Sequence, residues 1–358
     1  MKSKKMLLVS LLSVFLVSCG ITPVSSAASD VDAKGFKVIT TSNVIDGQTS
    51  EFHVIPKEYQ KTSEKKGKIE RVDYTTDVYE NGVTYSKHAN VYVPYEYDAA
   101  KKYNIMYFQH GDKSGEDALV KEGEESETKL RLDNLFDKDK GGIEPCLVVF
   151  QTFYLEGESA GHSDKDLAGD GYVTSEGESV PPNYYLEVNQ DLIPAVESKY
   201  STYASGDVSD ANIKATRDHR AFSGYSRGSA RCWAMFIQDL DYFKWYLPMS
   251  FPCIGTKFIA SQIGEMGTDT ANEASWAEMK TTIDAHKDLS FYIYGSTGNK
   301  NDIPAMRAWC NYLSQKTDYI SYGLDTSKNN FAFTVSLFDH SDFYCSYYWY
   351  NTLQVVFH

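Results

Sequence analysis

The sequence has few basic residues for its length. Its 358 residues include 35 Lys and Arg against 49 Asp and Glu, which gives a formal net charge of −14. An acidic surface repels phosphate backbones and anionic lipid headgroups, so nucleic acid and a charge-driven membrane contact are disfavoured as partners. Hydrophobic residues make up 42% of the chain, which is enough to build the sizeable core of a globular protein.

Cysteine is also scarce, and its spacing excludes a common kind of metal site. None of the six cysteines belongs to a C-x-x-C pair, so we expect no zinc site. The Asp- and Gly-rich stretch 164–171 lacks the D-x-D-x-D-G spacing of a calcium loop. The sequence therefore predicts no metal and no other cofactor. Without Cys19 an odd number of cysteines remains, so at least one is unpaired in a monomer.

The apolar run at residues 6–17 is too short to span a bilayer comfortably. Three lysines precede it, and this layout is typical of a secretory signal. The run ends in residues 16–20, "LVSCG", which resemble the lipobox of bacterial lipoproteins. That resemblance implies a signal peptide over residues 1–19, cleavage before Cys19 and a lipid on its sulfur. The alternative is ordinary cleavage near residues 26–28. Either way we expect an exported protein, secreted or anchored to the membrane only through that lipid.

The remaining chain reads as one α/β domain. Residues 20–35 have the composition of a flexible tether, and residues 36–358 show no internal repeat and no second domain boundary. Short strand patterns run to about Pro94, with a hairpin signal at Asn81-Gly82. Continuous apolar strands then alternate with helical stripes. These patterns predict a mostly parallel central sheet with antiparallel N-terminal strands and helices on both faces.

Three reactive residues follow three of the predicted strands. Ser226 stands in the G-x-S-x-G motif of residues 224–228, Asp302 follows "LSFYIYG", and His340 follows "NFAFTVSLF". Ligands of parallel sheets bind beyond the carboxyl ends of the strands, so these side chains are placed to meet. The order Ser, Asp, His is that of α/β-hydrolases. The sequence predicts Ser226 as the nucleophile, His340 as the base and Asp302 as its carboxylate partner, with Asp339 and Asp342 as competitors.

The same logic predicts an oxyanion hole. One donor is the backbone N–H of Arg227, directly behind the nucleophile, and the other is that of Gly111 or Asp112 after the strand at residues 103–109. His110 is expected to support this loop rather than to transfer a proton. A separate set of aromatic residues follows predicted strands and is placed either to line an acyl pocket or to fill the core: Phe153, Tyr154 and Phe251.

Several segments together resemble a known family. They are "HANVYVPYEYDAAKKYNIMYFQHG", "NYYLEVNQDLIPAVESKY", "HRAFSGYSRGSARCWAMF", "FKWYLPMS", "FYIYGSTGNKNDI" and "LFDHSDFYCSYYWYNTL". From about residue 84 to the end, the chain resembles the carbohydrate esterases that include feruloyl and acetylxylan esterases. The resemblance implies an α/β-hydrolase fold and cleavage of ester decorations on plant polysaccharide such as xylan. It also implies that Ser226, Asp302 and His340 are the family's nucleophile, acid and base.

Two positions depart from the family pattern. Residues 112–114, Asp-Lys-Ser, stand where members often have a glycine-rich run, and Arg227 stands where methionine is common. A carboxylate beside a developing oxyanion is unfavourable unless it turns away, and the Arg227 side chain is free either to bind a substrate carboxylate or to form a salt bridge. These departures keep open a non-catalytic carbohydrate-binding lipoprotein. An acyltransferase or peptidase on the same fold is a further alternative, and the acyl preference stays undecided.

Overall fold

The computed structural model describes most of the chain after its N-terminal segment. The described ranges are 28–31, 37–45, 47–79, 82–112, 114–140, 142–155, 183–256, 264–298 and 303–358. The predicted signal peptide, residues 1–19, and the sequence at 164–171 lie outside them. Among the described helices, none combines the length and the apolar character that a bilayer-spanning segment needs.

The strands of the described residues form an eight-stranded sheet and a three-stranded sheet. The strands are β1 (Ala28–Val31), β2 (Lys37–Ile45), β3 (Gln48–His53), β4 (Lys68–Thr76), β5 (Tyr85–Val93), β6 (Ile105–Gln109), β7 (Leu147–Gln151), β8 (Arg220–Tyr225), β9 (Trp245–Met249), β10 (Tyr292–Thr297) and β11 (Phe331–Val335). In the large sheet the order is β11-β10-β9-β8-β6-β7-β5-β4, and only β5 runs against the others. This confirms the mostly parallel sheet with an antiparallel start.

Helices cover both faces of the large sheet, as the α/β pattern predicts. The α-helices are α1 (Glu127–Leu135), α2 (Tyr184–Glu187 and Ile193–Glu197, joined by the π-helical Val188–Leu192), α3 (Asp210–Ala215), α4 (Arg227–Gln238), α5 (Asp269–Ala285), α6 (Ile303–Ser314) and α7 (Cys345–Thr352). α1 and α7 pack on one face, and α2, α4, α5 and α6 supply core residues on the other.

The central strands are apolar along their whole length because each of their faces meets a separate core. In β6, Ile105 and Tyr107 belong to the core under α2 and α4, whereas Met106 and Phe108 belong to the core under α1 and α7. All five residues of β6 are buried. A strand with two covered faces has no need of polar alternation, which explains the continuous apolar run in the sequence.

The hairpin prediction is confirmed in its strands. β4 and β5 pair antiparallel from Lys68 opposite Val93 to Thr76 opposite Tyr85. Gly82 lies in the connection with a φ of 80°, a left-handed conformation that glycine adopts without a steric penalty. Asn81, the other residue of the turn signal, lies outside the described residues.

Part of the segment predicted as a tether forms a strand. Within residues 20–35, the segment Ala28–Val31 forms β1 and pairs antiparallel with β2. The pairing partner is the edge of a sheet, which composition alone does not reveal. This small sheet is joined to the large one: the Ser50 hydroxyl donates to Thr334 Oγ1 at 3.0 Å, and Thr334 donates to the carbonyl of Glu51.

The five cysteines of the described residues are all buried, and none forms a disulfide. Burial raises the pKa of the Cys253 thiol to about 12, because the thiolate loses its hydration in the apolar interior. A thiol that stays protonated reacts slowly with disulfides and oxidants. The described cysteines are therefore core residues rather than parts of disulfide cross-links. They are Cys146, Cys232, Cys253, Cys310 and Cys345.

Candidate active site

Ser226 occupies a sharp turn between β8 and α4. Its backbone has φ 56° and ψ −119°, a region that residues with a Cβ rarely adopt. The turn is held in place because the Ser226 N–H donates to the carbonyl of Met249 at 2.8 Å, at the end of the neighbouring strand β9. Strain of this kind persists only where the surroundings enforce it, and it clusters at functional sites. The turn presents the hydroxyl at the carboxyl edge of the sheet.

The two glycines of the G-x-S-x-G motif are required by close packing. A Cβ on Gly224 would overlap the carbonyl of Gly228, and one on Gly228 would lie 2.5 Å from the carbonyl oxygen of His110 and closer still to that of Gln109. Neither glycine has a positive φ, so the requirement is steric rather than conformational. The turn is tight enough to bring the start of α4 against the end of β6.

His340 lies within hydrogen-bonding distance of the serine. Its Nε2 is 2.9 Å from Ser226 Oγ, although the two residues are 114 positions apart. The imidazole is exposed and sits in the segment after β11, and its ring centroid lies 4.8 Å from that of Tyr225. This contact supports the ring from the strand that carries the serine. The pair has the geometry that a general base and a serine nucleophile need.

The predicted carboxylate partner, Asp302, lies outside the described residues, just before α6. Its role stays a prediction. Of the two competitors, Asp342 accepts a hydrogen bond from the Ser114 hydroxyl at 3.1 Å. That contact ties the segment after His340 to the loop after β6. Asp339 is exposed.

The loop after β6 approaches the serine at Gly111. A Cβ placed on Gly111 would lie 3.2 Å from Ser226 Cβ and 3.2 Å from Tyr225 Cδ1. This is tighter than ordinary van der Waals contact, so a side chain here would push the loop away from the serine. The structure thus brings together the segments that carry Gly111, Asp112, Ser226 and Arg227.

His110 fixes the orientation of the next peptide group. Its Nδ1 lies 2.6 Å from the carbonyl oxygen of Gly111, which only accepts, so Nδ1 carries the proton and donates. Its Nε2 lies 2.8 Å from Thr152 Oγ1, which is free to donate to it. His110 is 1% exposed, and the trans peptide directs the Asp112 N–H away from the side on which the Gly111 carbonyl is held. The interpretation of His110 as a loop support fits these contacts.

The two departures from the family pattern contact each other. Arg227 Nη1 lies 3.0 Å from Asp112 Oδ1. Of the two open interpretations of the Arg227 side chain, the structure shows the salt bridge. The contact also explains how a carboxylate is tolerated near the proposed oxyanion site, because the charge of Asp112 is neutralised by a neighbouring guanidinium.

The predicted substrate-contacting aromatics divide into two groups. Phe153 is 1% exposed and Tyr154 is 5% exposed, and their rings pack at 4.7 Å and 5.2 Å from the imidazole of His110. Both side chains belong to the core under α2 and α4, so of the two roles that the sequence left open the structure shows the core role. Phe251 is only half-buried and packs beside Ala230 and Ile254.

Two exposed apolar residues lie close to His340 in the sequence, and they were not identified from the sequence. Among the described residues, the large hydrophobic side chains that are exposed are Tyr95, Leu324, Leu337 and Phe343, and two of these four lie within three positions of His340. Phe343 is held in place because the Arg131 guanidinium lies 4.2 Å from its ring centroid. Their position near His340 could have marked them as candidates for substrate contact. The sequence does not show which apolar residues of this segment are exposed, because the same segment also contains buried ones.

Glu116, in the loop after Gly111, is a buried acid. Burial raises its pKa to about 8, and the neighbouring Asp117 adds to the shift while Lys87 and Arg71 oppose it. The loop is anchored around it, since Asn90 Nδ2 donates to the Glu116 carbonyl at 3.1 Å and to Asp117 Oδ1 at 2.6 Å. The protein therefore favours the protonated form of Glu116 near neutral pH.

We expect Glu116→Gln to stabilise the protein at alkaline pH. The unfolded chain ionises this carboxyl near 4.5 and the folded protein only near 8, so stability falls as pH rises through this window. A pKa shift of this size corresponds to a loss of roughly 5 kcal/mol in the free energy of unfolding once the buried carboxyl is ionised. The free energy of unfolding should rise at pH 9 and change little at pH 4, as denaturant titrations measure. The control is Glu124→Gln in the exposed part of the loop, and equal effects of the two variants at pH 9 would contradict the prediction.

Among the described residues, no cluster of three or more His, Cys, Asp or Glu side chains is arranged to hold a metal ion.

Comparison with known proteins places this site in a family. Residues 83–322 match the model of the esterase family described as "Putative esterase". The chain is 30% identical over 319 residues to endo-1,4-beta-xylanase Y of Acetivibrio thermocellus. That match covers 86% of this chain but only 25% of the xylanase, so the chain spans a quarter of that relative's length.

Solved structures show the same fold. A mutant of the feruloyl esterase module from Clostridium thermocellum, complexed with sinapinate, superposes with a TM-score of 0.66 at 25% identity, over 94% of this chain and 97% of that one. A ferulic acid esterase from Anaeromyces mucronatus, in complex with ferulic acid, has a TM-score of 0.55 at 16% identity, over 85% of this chain and 96% of that one. These likenesses show the α/β-hydrolase fold. Because the family match extends over more than half of the 358 residues, the protein belongs to the esterase family.

Proposed function

We propose that the protein is an exported serine esterase that hydrolyses feruloyl or acetyl esters on plant cell-wall polysaccharide such as xylan. The observation that carries this proposal is the 2.9 Å contact between His340 Nε2 and Ser226 Oγ on a strained turn. An esterase fold alone does not make an enzyme, whereas a serine within reach of a base can act as a nucleophile.

In the acylation step, Ser226 Oγ attacks the ester carbonyl carbon while its proton passes to His340 Nε2. The carbonyl π electrons move to oxygen and form a tetrahedral oxyanion. The intermediate collapses, the ester C–O bond breaks, and His340 returns the proton to the departing sugar hydroxyl. The acyl group stays on Ser226. Asp302 orients the imidazole and stabilises its positive charge in this proposal.

In the deacylation step, water replaces the sugar hydroxyl. His340 takes a proton from the water as it attacks the acyl-enzyme carbonyl, and returns it to Ser226 Oγ as that oxygen leaves. The products are the free acid and the regenerated serine, so atoms and charge balance without a cofactor.

The oxyanion is held by the backbone N–H groups of Arg227 and Asp112. Arg227 opens α4, so its N–H also gains from the positive end of the helix dipole. Asp112 is preferred to Gly111 as the second donor, because the hydrogen bond from His110 to the Gly111 carbonyl turns the Asp112 N–H away from the buried imidazole. One such donor is typically worth about 3 kcal/mol in the transition state.

The substrate class rests on the relatives and on the surface beside His340. The relatives are a xylanase and feruloyl esterase modules, one of them complexed with the aromatic acid sinapinate. Leu337 and Phe343, each three positions from His340 in the sequence, are exposed apolar side chains that suit the phenyl ring of a feruloyl group or the face of a sugar. Export, with or without a lipid on Cys19, gives the enzyme access to polysaccharide outside the cell.

We expect Phe343→Ala to weaken the use of an aromatic ester more than that of an acetyl ester. The variant removes a fixed apolar ring but leaves the groups that react. For methyl ferulate, kcat/KM should fall about tenfold, which is the typical effect of losing one apolar contact with the substrate. For an aryl acetate, kcat/KM should change less than about twofold. Steady-state hydrolysis of both esters measures this.

Leu324→Ala is the matched control, because Leu324 is also an exposed apolar residue but precedes β11, whereas Phe343 follows that strand. Equal losses for both esters in Phe343→Ala would exclude Phe343 as a contact for the acyl group. A wild-type enzyme that cleaves neither ester would contradict the proposed function itself.

A further inference from the structure

The two backbone groups proposed to hold the oxyanion belong to residues whose side chains form an ion pair. Arg227 Nη1 lies 3.0 Å from Asp112 Oδ1, and the side chains are 13% and 40% exposed. The donors come from different parts of the fold: Arg227 from the first turn of α4, and Asp112 from the loop after β6. The ion pair therefore connects the two halves of the proposed oxyanion hole.

The two halves differ in how firmly the fold holds them. Arg227 is the first residue of a 12-residue helix, α4. The second residue of that helix, Gly228, packs against the backbone of Gln109 and His110. Asp112 lies in a stretch in which the described residues form neither helix nor strand before α1 begins at Glu127. His110 holds the Gly111–Asp112 peptide at its carbonyl, and Arg227 holds the Asp112 side chain on the other side of the same peptide.

We propose that the Arg227–Asp112 ion pair is a clamp that sets the spacing of the two oxyanion donors. Both side chains are positioning residues, and the inference rests on the proposed esterase function. The clamp has a second effect, because the guanidinium neutralises the carboxylate of a residue whose own backbone N–H is a proposed oxyanion donor. Fixed donors cost no reorganisation when charge develops, which is why their placement affects kcat rather than substrate binding.

The two effects predict an unusual order of activities among three variants. Arg227→Met breaks the clamp and leaves the Asp112 carboxylate uncompensated, so kcat for an aryl acetate should fall about tenfold or more. Asp112→Asn breaks the ion pair but leaves no negative charge, so its loss should be smaller. Adding Asp112→Asn to Arg227→Met removes the uncompensated charge, so the double variant should recover to within about threefold of Asp112→Asn alone.

A merely structural role would give a different result. A half-exposed ion pair adds at most about 1 kcal/mol to stability, so the melting temperatures of all three variants should stay within a few degrees of the wild type. KM should change less than about twofold, with the loss confined to kcat. A double variant no more active than Arg227→Met would overturn the clamp, because Arg227 would then act on the oxyanion alone.

Labelling with a fluorophosphonate separates failure of the clamp from failure of the proposed function. The probe reacts only with an activated serine, and it is applied to the full chain and to each variant. A wild type without label at Ser226 refutes the esterase function and with it the clamp. A labelled wild type whose kcat is matched by all three variants refutes the clamp alone. Slower labelling of Arg227→Met, restored in the double variant, supports both.

Discussion

Ser226→Ala is expected to abolish ester hydrolysis, with a loss in kcat of about 10⁴-fold or more. Removing the nucleophile of a serine hydrolase leaves only the small catalysis that the oxyanion donors and substrate binding supply. The variant loses one oxygen at a half-buried position, and the turn that holds it depends on backbone contacts that do not involve Oγ. Steady-state rates with an aryl acetate and with methyl ferulate measure the effect.

The control for this variant is Ser229→Ala, one turn further along α4. The Ser229 hydroxyl donates to the carbonyl of Phe251 at 2.8 Å, so its loss costs about 1 kcal/mol of stability without touching His340. Activity should be nearly unchanged, and the fluorophosphonate should still label this variant but not Ser226→Ala. Turnover in Ser226→Ala close to the wild-type rate would exclude Ser226 as the nucleophile and favour a binding role for the fold.

Gly228→Ala is expected to cause a large loss of both stability and activity. The new Cβ would lie 2.5 Å from the carbonyl oxygen of His110 and closer still to that of Gln109. Both carbonyls belong to backbone at the end of a central strand, so neither can swing aside as a side chain would. We expect a loss of about 3 kcal/mol or more in the free energy of unfolding, the upper end of overpacking effects.

Activity should fall further than stability alone explains in this variant. Separation of α4 from the loop after β6 also separates the two proposed oxyanion donors, so kcat should fall about 100-fold in protein that is still folded. Gly264→Ala is the matched control, because nothing lies within 4 Å of its added Cβ and its φ is not positive. A Gly228→Ala variant with wild-type stability and rate would contradict the packing that the structure shows around the turn.

Much of the architecture could be predicted from local pattern. The apolar runs of β6 and β7 indicated strands covered on both faces, because only a two-sided core makes polar alternation unnecessary. The elbow was predicted from two glycines and a serine, because their spacing reflects steric contacts within a few residues. The acidic partner Asp302 lies outside the described residues, so its place beside His340 stays a prediction.

Other features depended on parts of the chain that are distant in sequence. Phe153 and Tyr154 follow a strand just as a pocket residue would, and only the packing of His110 over them shows that they belong to the core. β1 was not predicted from its own sequence, because it is a strand only through its hydrogen bonds to the edge of β2. Phe343 packs against the guanidinium of Arg131, which comes from α1, a helix more than 200 residues earlier in the chain.

The primary structure by itself determined the layered fold and the tight turn at Ser226, because each is encoded by periodicity or by residue types a few positions apart. The sequence also predicted His340 as the base, from the order in which reactive residues follow the strands. Only the tertiary structure decided that Arg227 and Asp112, two unusual residues 115 positions apart, neutralise each other. The physical reason is that a salt bridge depends on the distance between two charges in space. That distance is set by the packing of a helix against a loop rather than by either residue's neighbours in the chain.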